Sequence, residues 1–379
     1  MNDTFAIVYA GHGNPFLDDL IAHRCVSAIP LAGRYRTIDV LLSNLSQSGV
    51  RDVGVIMQRN FQSLVEHIGG GSAWDLYSKR GGVALLTPFD QGMATGLYHG
   101  FGDALFAKRY YLNRQREKYC LLLASDTIYR EDYNRLLDCH LEKGADITVL
   151  YSRDLRLGLG DTAQMANFRI GEDGWVEGLE YGRQGEDAGC YNLGACIMDK
   201  ELLVRLVEDA CASGRYDFVT DILEPATRSY KVAALEHTGY AARLTTVKTY
   251  FDVTHDLLDS EVRKELFYEQ GPVYTRVADA PPVRYARGCE VENSVFGNGC
   301  DVRGRVVNSV VFRGVKIAAG ADVENCVVMQ DSVIGENAHL RNVIVDKNVI
   351  VGAGARLVGT LDTPRVIRKG TIVEGANGE

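Results

Sequence analysis

The residue types most suited to chemistry lie in a glycine-rich stretch near the N-terminus, residues 9–30, which reads YAGHGNPFLDDLIAHRCVSAIP. A short apolar run precedes it, so the pattern is typical of a strand that leads into a phosphate-binding glycine turn. Yet no Lys or Arg lies between Gly13 and Arg24, and Asp18 and Asp19 carry the charge that a triphosphate repels. The stretch is therefore either a nucleotide site or the remnant of one.

The chain up to about residue 250 alternates short β-rich runs with helical patterns, which predicts a parallel, helix-covered sheet. The predicted strands are residues 5–10, 53–58, 119–125, 146–152 and 191–199. The predicted helices include residues 103–119 and 135–144, and the second of these ends on a glycine. Because such sheets bind ligands at the carboxyl ends of their strands, the glycine turn lies where a site is expected.

A different pattern begins at about residue 286, where a short unit recurs. Its copies are NSVF (293–296), NSVV (308–311), NCVV (325–328), DSVI (331–334) and NVIV (342–345). Aliphatic residues recur about six apart with Gly or Ala between them, which is typical of a hexapeptide parallel β-helix. The alternative, a sandwich of antiparallel strands, would require hairpin turn pairs that the sequence lacks.

Composition and charge exclude several classes of function. The 379 residues suggest two or three domains and carry a net charge of -9 without a Lys/Arg-rich run, which argues against nucleic acid as the main partner. No apolar stretch approaches the roughly 20 residues of a membrane span, and the N-terminus does not resemble a signal peptide. The nine cysteines are scattered, without the spacing of metal ligands. We therefore expect a cytoplasmic chain.

Five segments closely resemble the bacterial glucose-1-phosphate adenylyltransferase family. They are PLAGRYRTIDVLLSNLSQSGV (30–50), HIGGGSAWDL (67–76), GGVALLTPF (81–89), SDTIYREDY (125–133) and YFDVTHDLLDS (250–260). The resemblance implies an α/β, Rossmann-like nucleotidyltransferase domain with a mixed, mostly parallel sheet over residues 1–255. It further implies a linker over 256–285 and a left-handed parallel β-helix over 286–379. The family's reaction makes ADP-glucose and pyrophosphate from ATP and glucose 1-phosphate for glycogen synthesis.

The family binds its nucleotide with a glycine-rich GGxGxRL turn, whose arginine and a following KP lysine neutralise the triphosphate. This sequence aligns with that turn without gaps from Ala10 to Pro30 but lacks its cations. The positions of the second glycine, the third glycine, the arginine, the lysine and the proline are held by His12, Asn14, Phe16, Val26 and Ser27.

Further losses follow downstream. The family's YRGTADA segment appears as YHGFGDA, in which His99 replaces the arginine and Phe101 replaces the threonine. Gly182 lies where the family's FVEKP segment supplies a lysine to the sugar phosphate. The positions retained as a remnant of the nucleotide site are Ala10, Gly11, Gly13, Gln58, Gly100 and Asp103.

Charged residues outside the glycine turn suggest two more sites. Two aspartates hold Mg²⁺ in the family, and the resemblance places them at Asp126 and Asp252, for which the alternative is a structural role at strand ends. Arg34 and Arg36 are candidates for an anionic effector pocket between the domains, and the alternative for them is an ion pair between domains or subunits. Arg24 is a candidate substitute for the lost cations.

The loss of cations from an otherwise intact scaffold resembles the family's divergent D-type subunit, which has little activity alone and assembles with the catalytic subunit. We therefore expect a regulatory, catalytically deficient subunit of a homo- or heterotetramer, with no required cofactor and Mg²⁺ as an optional ligand. Removal of one charge-stabilising donor typically costs about 100- to 1,000-fold in rate. Two alternatives stay open, a weak or re-specialised nucleotidyltransferase that uses Asp126 and Asp252, and a sensor that binds a nucleotide or sugar phosphate without turnover.

Overall fold

The computed structural model describes residues 1, 3–11, 15–78, 81–88, 97–157, 165–181 and 189–375. These residues form an α/β unit built on a mixed sheet, followed by a coil with three parallel sheets. None of the helices in these ranges has the length and apolar character that a bilayer-spanning helix needs.

The elements of the α/β unit alternate along the chain. Its strands are β1 (Thr4–Ala10), β2 (Pro30–Leu31), β3 (Tyr35–Arg36), β4 (Asp52–Met57), β5 (Tyr77–Ser78), β6 (Gly81–Leu86), β7 (Tyr119–Ala124), β8 (Thr127–Tyr129), β9 (Ile147–Ser152), β10 (Leu155–Arg156), β11 (Ala166–Ile170), β12 (Val176–Tyr181), β13 (Cys190–Asp199), β14 (Val232–His237) and β15 (Ala241–Arg243). Its α-helices are α1 (Asp18–Ile21), α2 (Thr37–Gln47), α3 (Gln62–Ile68), α4 (Phe101–Ala107), α5 (Arg109–Arg114), α6 (Tyr133–Lys143), α7 (Lys200–Ala212), α8 (Glu224–Ala226), α9 (Val247–Asp256) and α10 (Ser260–Lys264).

Short turns of other helix types complete the α/β unit. Turns of 3₁₀ helix lie at Pro15–Leu17, Val26–Ala28 and Ser72–Trp74, and π-helical turns lie at Val219–Leu223 and Glu265–Glu269.

The strands of the coil are β16 (Arg284–Tyr285), β17 (Glu290–Glu292), β18 (Val295–Phe296), β19 (Asp301–Val302), β20 (Arg305–Val307), β21 (Val310–Val311), β22 (Lys316–Ile317), β23 (Asp322–Glu324), β24 (Val327–Val328), β25 (Val333–Ile334), β26 (His339–Arg341), β27 (Val343–Val345), β28 (Ile350–Val351), β29 (Arg356–Val358), β30 (Arg365–Ile367) and β31 (Ile372–Val373).

The large sheet has the strand order β12-β11-β13-β7-β1-β4-β6-β5, and off this path β9 pairs with β13 and β14 pairs with β9. β1 pairs in parallel with β4 and β7, and β13 joins β7 in the antiparallel direction. Ala6 and Val8 pack into one core cluster and Phe5 and Ile7 into another, so both faces of β1 are buried, as expected for a parallel strand. The five predicted strands are confirmed, each within one residue at either end.

The predicted helix over residues 103–119 is wrong in its extent. Lys108, with φ of -100° and ψ of 12°, separates α4 from α5, and Tyr119 already belongs to β7. The backbone N–H of Tyr119 donates to the carbonyl oxygen of Asp3 at 3.0 Å, so pairing with the N-terminal strand overrides the local helical pattern. The other predicted helix is confirmed as α6, which ends on Gly144 at a φ of 56°.

The coil is a parallel β-helix, as the repeat pattern predicts. Its faces are the sheets β16-β19-β22-β25-β28-β31, β17-β20-β23-β26-β29 and β18-β21-β24-β27-β30. Val310 pairs with Val327, which pairs with Ile344, so these successive turns are 17 residues long. The next residues along the chain, Val311, Val328 and Val345, are fully buried inside the coil and supply the inward-facing aliphatic of each turn.

Asparagines open most of the repeated units because they occupy left-handed corners of the coil. Asn293, Asn308, Asn325 and Asn342 have φ between 40° and 53°, a region that Asn tolerates better than most residues. Nδ2 of Asn293 donates to Oδ1 of Asn308 at 2.7 Å, and Nδ2 of Asn342 donates to the carbonyl oxygen of Gly359 at 3.1 Å. This ladder of corner residues gives the sequence repeat its physical basis.

A shared core joins the coil to the α/β unit. Its members include Leu17, Leu20, Val26 and Ile29 from the N-terminal segment, Tyr250 and Phe251 from α9, and Val310, Phe312, Val327, Met329 and Ile344 from the coil. Nη2 of Arg24 pairs with Oδ1 of Asp346 at 2.7 Å beside this core, and the two side chains are 3% and 2% exposed. The division into residues 1–255, 256–285 and 286–379 stays a prediction.

We expect Arg24→Ala to lower the free energy of unfolding by about 3–5 kcal/mol, because the buried carboxylate of Asp346 then lacks its cation. Arg368→Ala is the matched control, since Arg368 also joins the coil to the N-terminal segment, through Asp19, but is 71% exposed. Its loss should cost no more than about 1 kcal/mol. Denaturant titration followed by circular dichroism measures both, and equal effects would contradict the prediction.

Candidate functional site

The candidate site lies where β1, β4 and β7 end, because parallel strands place their carboxyl ends at one edge of the sheet. Ala10 is the last residue of β1 and pairs with Met57, so Gly11 and Gln58 emerge from adjacent strands at this edge. The site positions that lie outside the described residues are His12, Gly13, Asn14 and Gly182.

Aromatic side chains occupy the space beside this edge. The ring of Phe101 stacks on Tyr9 with the ring centroids 4.6 Å apart, and it lies 5.4 Å from the ring of Phe218. The Tyr9 hydroxyl donates to Oε1 of Gln58 at 3.4 Å, and burial raises the pKa of Tyr9, which keeps the phenol neutral. A Cβ at Gly11 would lie 2.6 Å from the Tyr9 ring. The edge therefore offers an aromatic surface next to the glycine turn.

The segment before α4 keeps its glycine and its aspartate for reasons of backbone geometry. Oδ2 of Asp103 accepts the backbone N–H of His99 at 2.9 Å and lies 3.1 Å from Nδ1 of the same residue. Gly100 is the N-cap of α4, and a Cβ there would lie 2.5 Å from the carbonyl oxygen of Tyr216. The His99 ring stacks on Tyr216 with centroids 4.9 Å apart. These contacts within the chain account for Gly100 and Asp103 without a bound nucleotide.

The positions that lack the family's cations lie in opposite environments. Val26 is 2% exposed and belongs to the core shared by the two units. Ser27 is fully buried beside it, and its Oγ lies 2.6 Å from Oγ of Ser125. Phe16, by contrast, is 63% exposed. A cation at position 26 would therefore have to be buried, whereas one at position 16 would meet water.

Arg24 does not replace the lost cations, because its side chain is directed at the coil. Besides the ion pair with Asp346, its Nη1 donates to the carbonyl oxygen of Leu20 at 3.1 Å. The residue is 2% exposed, so the guanidinium is not available to a ligand at the sheet edge.

The two predicted metal ligands lie in different kinds of element. Asp126 follows β7 at the sheet edge, but Asp252 lies within α9, where Nζ of Lys248 donates to its Oδ1 at 2.7 Å. Asp252 therefore does not lie at a strand end. The residue that ends a strand just before α9 is Arg243, whose Nε lies 3.2 Å from Oδ2 of Asp126.

These contacts bear on Mg²⁺, which prefers several oxygen ligands. Both carboxylates are already neutralised by a cation of the chain, Arg243 in one case and Lys248 in the other. Within the ranges that the structure describes, no three His, Cys, Asp or Glu residues are arranged to hold a metal ion. The residues present therefore do not fit Mg²⁺.

Cations from both units meet beside the shared core. Nη1 of Arg36 donates to the carbonyl oxygen and the hydroxyl of Ser63, at 2.6 and 2.8 Å. Lys347, from the coil, is half-buried, and desolvation together with the positive charges of Arg36 and Arg24 lowers its pKa to about 7. The negative charge of Asp346 offsets this effect only in part. The boundary therefore carries positive charge that an anion would stabilise.

Arg34 extends this positive region. Its guanidinium lies over the Tyr35 ring, 4.8 Å from the centroid. Desolvation, followed by the charge of Arg34, lowers the pKa of Arg313 in the coil. The sequence offers no local signal for Lys347 or Arg313, because only the docking of the coil places them beside residues about 300 positions earlier.

We expect Val26→Lys, which restores the lysine of the resembled family, to destabilise the chain by about 3 kcal/mol or more, because it buries an ammonium group in an apolar core. Phe16→Arg, which restores the arginine at the exposed position, should change stability by no more than about 0.5 kcal/mol. Denaturant titrations of the two variants and the parent chain measure the difference. A Val26→Lys chain as stable as the parent would contradict the assignment of residue 26 to the core.

Comparison with known proteins agrees with this fold. The family described as Nucleotidyl transferase matches residues 10–155, and the one described as GlmU-like, C-terminal hexapeptide matches residues 281–364. The Glycogen biosynthesis protein GlgD of Geobacillus stearothermophilus is 36% identical over 357 residues, which cover 94% of this chain and 93% of the relative. The glucose-1-phosphate adenylyltransferase of Thermomicrobium roseum is 34% identical, covering 80% and 71%, and that of Mycoplasma mobile is 30% identical, covering 85% of each chain. The chain therefore belongs to the glucose-1-phosphate adenylyltransferase family of nucleotidyl transferases.

Proposed function

We propose that this chain is a regulatory subunit of glucose-1-phosphate adenylyltransferase that is catalytically deficient by itself. In glycogen biosynthesis it assembles with a catalytic subunit in the cytoplasm, as part of a heterotetramer, and raises the rate at which that subunit forms ADP-glucose. The observation that carries the proposal is the replacement of the nucleotide-binding cations. Val26 is buried in the shared core, Phe101 stacks on Tyr9, and Arg24 pairs with the coil.

The electrostatics of the sheet edge support a deficiency in catalysis. Nucleotidyl transfer depends mainly on positioning the phosphates and on stabilising their developing charge. Loss of one such donor typically costs about 100- to 1,000-fold in rate, and although such losses are not additive, this chain lacks both the arginine and the lysine of the turn. The carboxylate of Asp126 is itself engaged by Arg243. We therefore expect the chain to need no cofactor of its own.

The extent of similarity to relatives supports a place in glycogen synthesis. The match to the Glycogen biosynthesis protein GlgD of Geobacillus stearothermophilus spans 94% of this chain, and that of Bacillus subtilis spans 94% at 30% identity. The α/β unit and the coil are both present although the cations are lost, which supports a chain that is kept for assembly with another subunit.

A three-sample assay tests this function. ADP-glucose formation from ATP, glucose 1-phosphate and Mg²⁺ is measured for this chain, for a catalytic subunit from the same organism, and for their equimolar mixture. We expect the chain alone to be slower than the catalytic subunit by about 1,000-fold or more, because two phosphate-binding cations are missing. We expect the mixture to be faster than the catalytic subunit alone.

Comparable turnover by the isolated chain would contradict this proposal and favour the alternative, a weak or re-specialised nucleotidyltransferase. Asp126→Asn then decides whether that turnover arises at the sheet edge, since it should abolish it. A mixture no faster than the catalytic subunit would also count against a regulatory role.

A second candidate function, which is compatible with the first, is a sensor that binds a sugar phosphate or a nucleotide without turnover. It is favoured by the cations that meet at the boundary of the two units, namely Arg34, Arg36 and Lys347. An anion there would contact both units at once, so its binding would favour one relative arrangement of the two and alter the surface that a partner subunit meets.

The lowered pKa of Lys347 makes anion binding at this boundary depend on pH. Sulfate is a suitable probe because its own charge does not change between pH 6 and 9. We expect its affinity to be nearly constant below about pH 6 and to fall by up to about 30-fold between pH 6 and 8.5, as Lys347 loses its proton. Isothermal titration calorimetry at several pH values measures the sulfate affinity. It should also detect the uptake of a proton on binding above pH 7.

Lys347→Gln should remove the pH dependence and weaken sulfate binding, whereas Lys316→Gln, a change of an exposed lysine elsewhere on the coil, should do neither. The same pKa has a consequence for the free chain. Because the folded pKa of about 7 lies below the ordinary value of 10.5, protonation favours the unfolded state, and stability rises as the pH increases from about 7 towards 10. Sulfate affinity that does not vary with pH would contradict the assignment of Lys347 to the anion site.

A further inference from the structure

Arg243 and Asp126 form an ion pair at the carboxyl edge of the large sheet. Nε of Arg243 lies 3.2 Å from Oδ2 of Asp126 and Nη2 lies 3.5 Å from Oδ1, and both side chains are 15% exposed. The backbone N–H of Leu244 donates to the carbonyl oxygen of Asp126 at 2.8 Å. Nη1 of Arg243 donates to Sδ of Met165 at 3.3 Å. Backbone and side-chain contacts therefore hold this guanidinium in one place.

The central strand β13 is shaped to admit the guanidinium. Its register with β9 shifts between Asn192 and Ala195, and Gly194 within this bulge has a φ of 73°. A Cβ at Gly194 would lie 3.3 Å from Nη2 of Arg243 and 2.5 Å from Cβ of Ala124. Oδ1 of Asn192 accepts the Gly194 N–H at 2.7 Å, which stabilises the bulge. The space for the cation is thus built into the sheet.

A divalent metal ion at Asp126 would have to compete with this cation. Mg²⁺ needs oxygen ligands at about 2.0–2.1 Å in near-octahedral geometry, and it would lie within a few ångströms of the guanidinium charge. The other predicted ligand, Asp252, lies in α9 with its carboxylate on Lys248. The positive charge that the family obtains from a bound metal is here supplied by the polypeptide.

We propose that Arg243 is a permanent internal cation that takes the place of a divalent metal ion at Asp126. Asp126 lies between β7 and β8, and Arg243 is the last residue of β15, so their ion pair holds the ends of β7 and β15 together without a metal ion. The pairing of β15 with β8 supports the same arrangement. Any phosphate that reaches this edge meets a guanidinium instead of a bound metal. The inference rests on the proposed function, since a subunit that does not catalyse the reaction needs no metal ion at this edge of the sheet.

Binding of Mn²⁺ to the full-length chain alone tests this inference, because electron paramagnetic resonance counts the free ion directly. We expect the parent chain and Asp126→Asn to bind the same amount of Mn²⁺ at concentrations up to about 1 mM, because the parent chain has no metal site at Asp126. Arg243→Asp replaces the cation with a second carboxylate beside Asp126. It should create one Mn²⁺ site at least about tenfold tighter than any in the parent chain, and Arg243→Asp with Asp126→Asn should lose it.

Arg243→Lys is the matched control, since it keeps a cation at the position and should create no Mn²⁺ site. A parent chain that binds one Mn²⁺ ion lost in Asp126→Asn would overturn the inference, as would a folded Arg243→Asp chain with no new site. If circular dichroism shows that Arg243→Asp does not fold, the comparison of the parent with Asp126→Asn still decides. The proposed regulatory role fails separately, in the subunit-mixing assay, where Mn²⁺ binding by this chain plays no part.

Discussion

The buried ion pair between Arg24 and Asp346 constrains the N-terminal segment and, through it, the candidate site. Two charges that are almost completely removed from water must stay together, because separating them leaves an uncompensated charge in an apolar environment. The segment after the glycine turn is therefore fixed against the coil, with Val26 and Ser27 drawn into buried positions. Residues that would face a nucleotide in the resembled family serve here to join the two units.

The distribution of positive charge follows from this arrangement. Asp126 at the sheet edge and Asp252 in α9 are each neutralised by a cation of the chain, and an aromatic stack lies beside the glycine turn. At the boundary with the coil, Arg36 and Lys347 lie close enough for their charges to oppose each other. Positive charge is thus depleted where a triphosphate would bind and retained where an anion would contact both units. This contrast supports the proposed regulatory role.

The sequence predicts those features that depend on local periodicity or on a turn residue. The buried strands, the glycine at the end of α6 and the asparagine-initiated repeats of the coil are examples, since each is determined by a few neighbouring residues. Predictions that depend on distant partners are less successful. The helix over residues 103–119, for example, is interrupted because Tyr119 pairs with the N-terminal strand.

By itself, the sequence determined the two-part fold, the family and the loss of cations from the glycine turn, because these follow from residue type and spacing along the chain. Only the tertiary structure decided what the remaining charged groups do. Arg24 binds the coil, Arg243 binds Asp126, and Lys347 joins Arg36 at the boundary, although each pair is separated by more than 100 residues in the chain. The physical reason is that the charge of a side chain is encoded locally, whereas its partner and its exposure to water are set by packing.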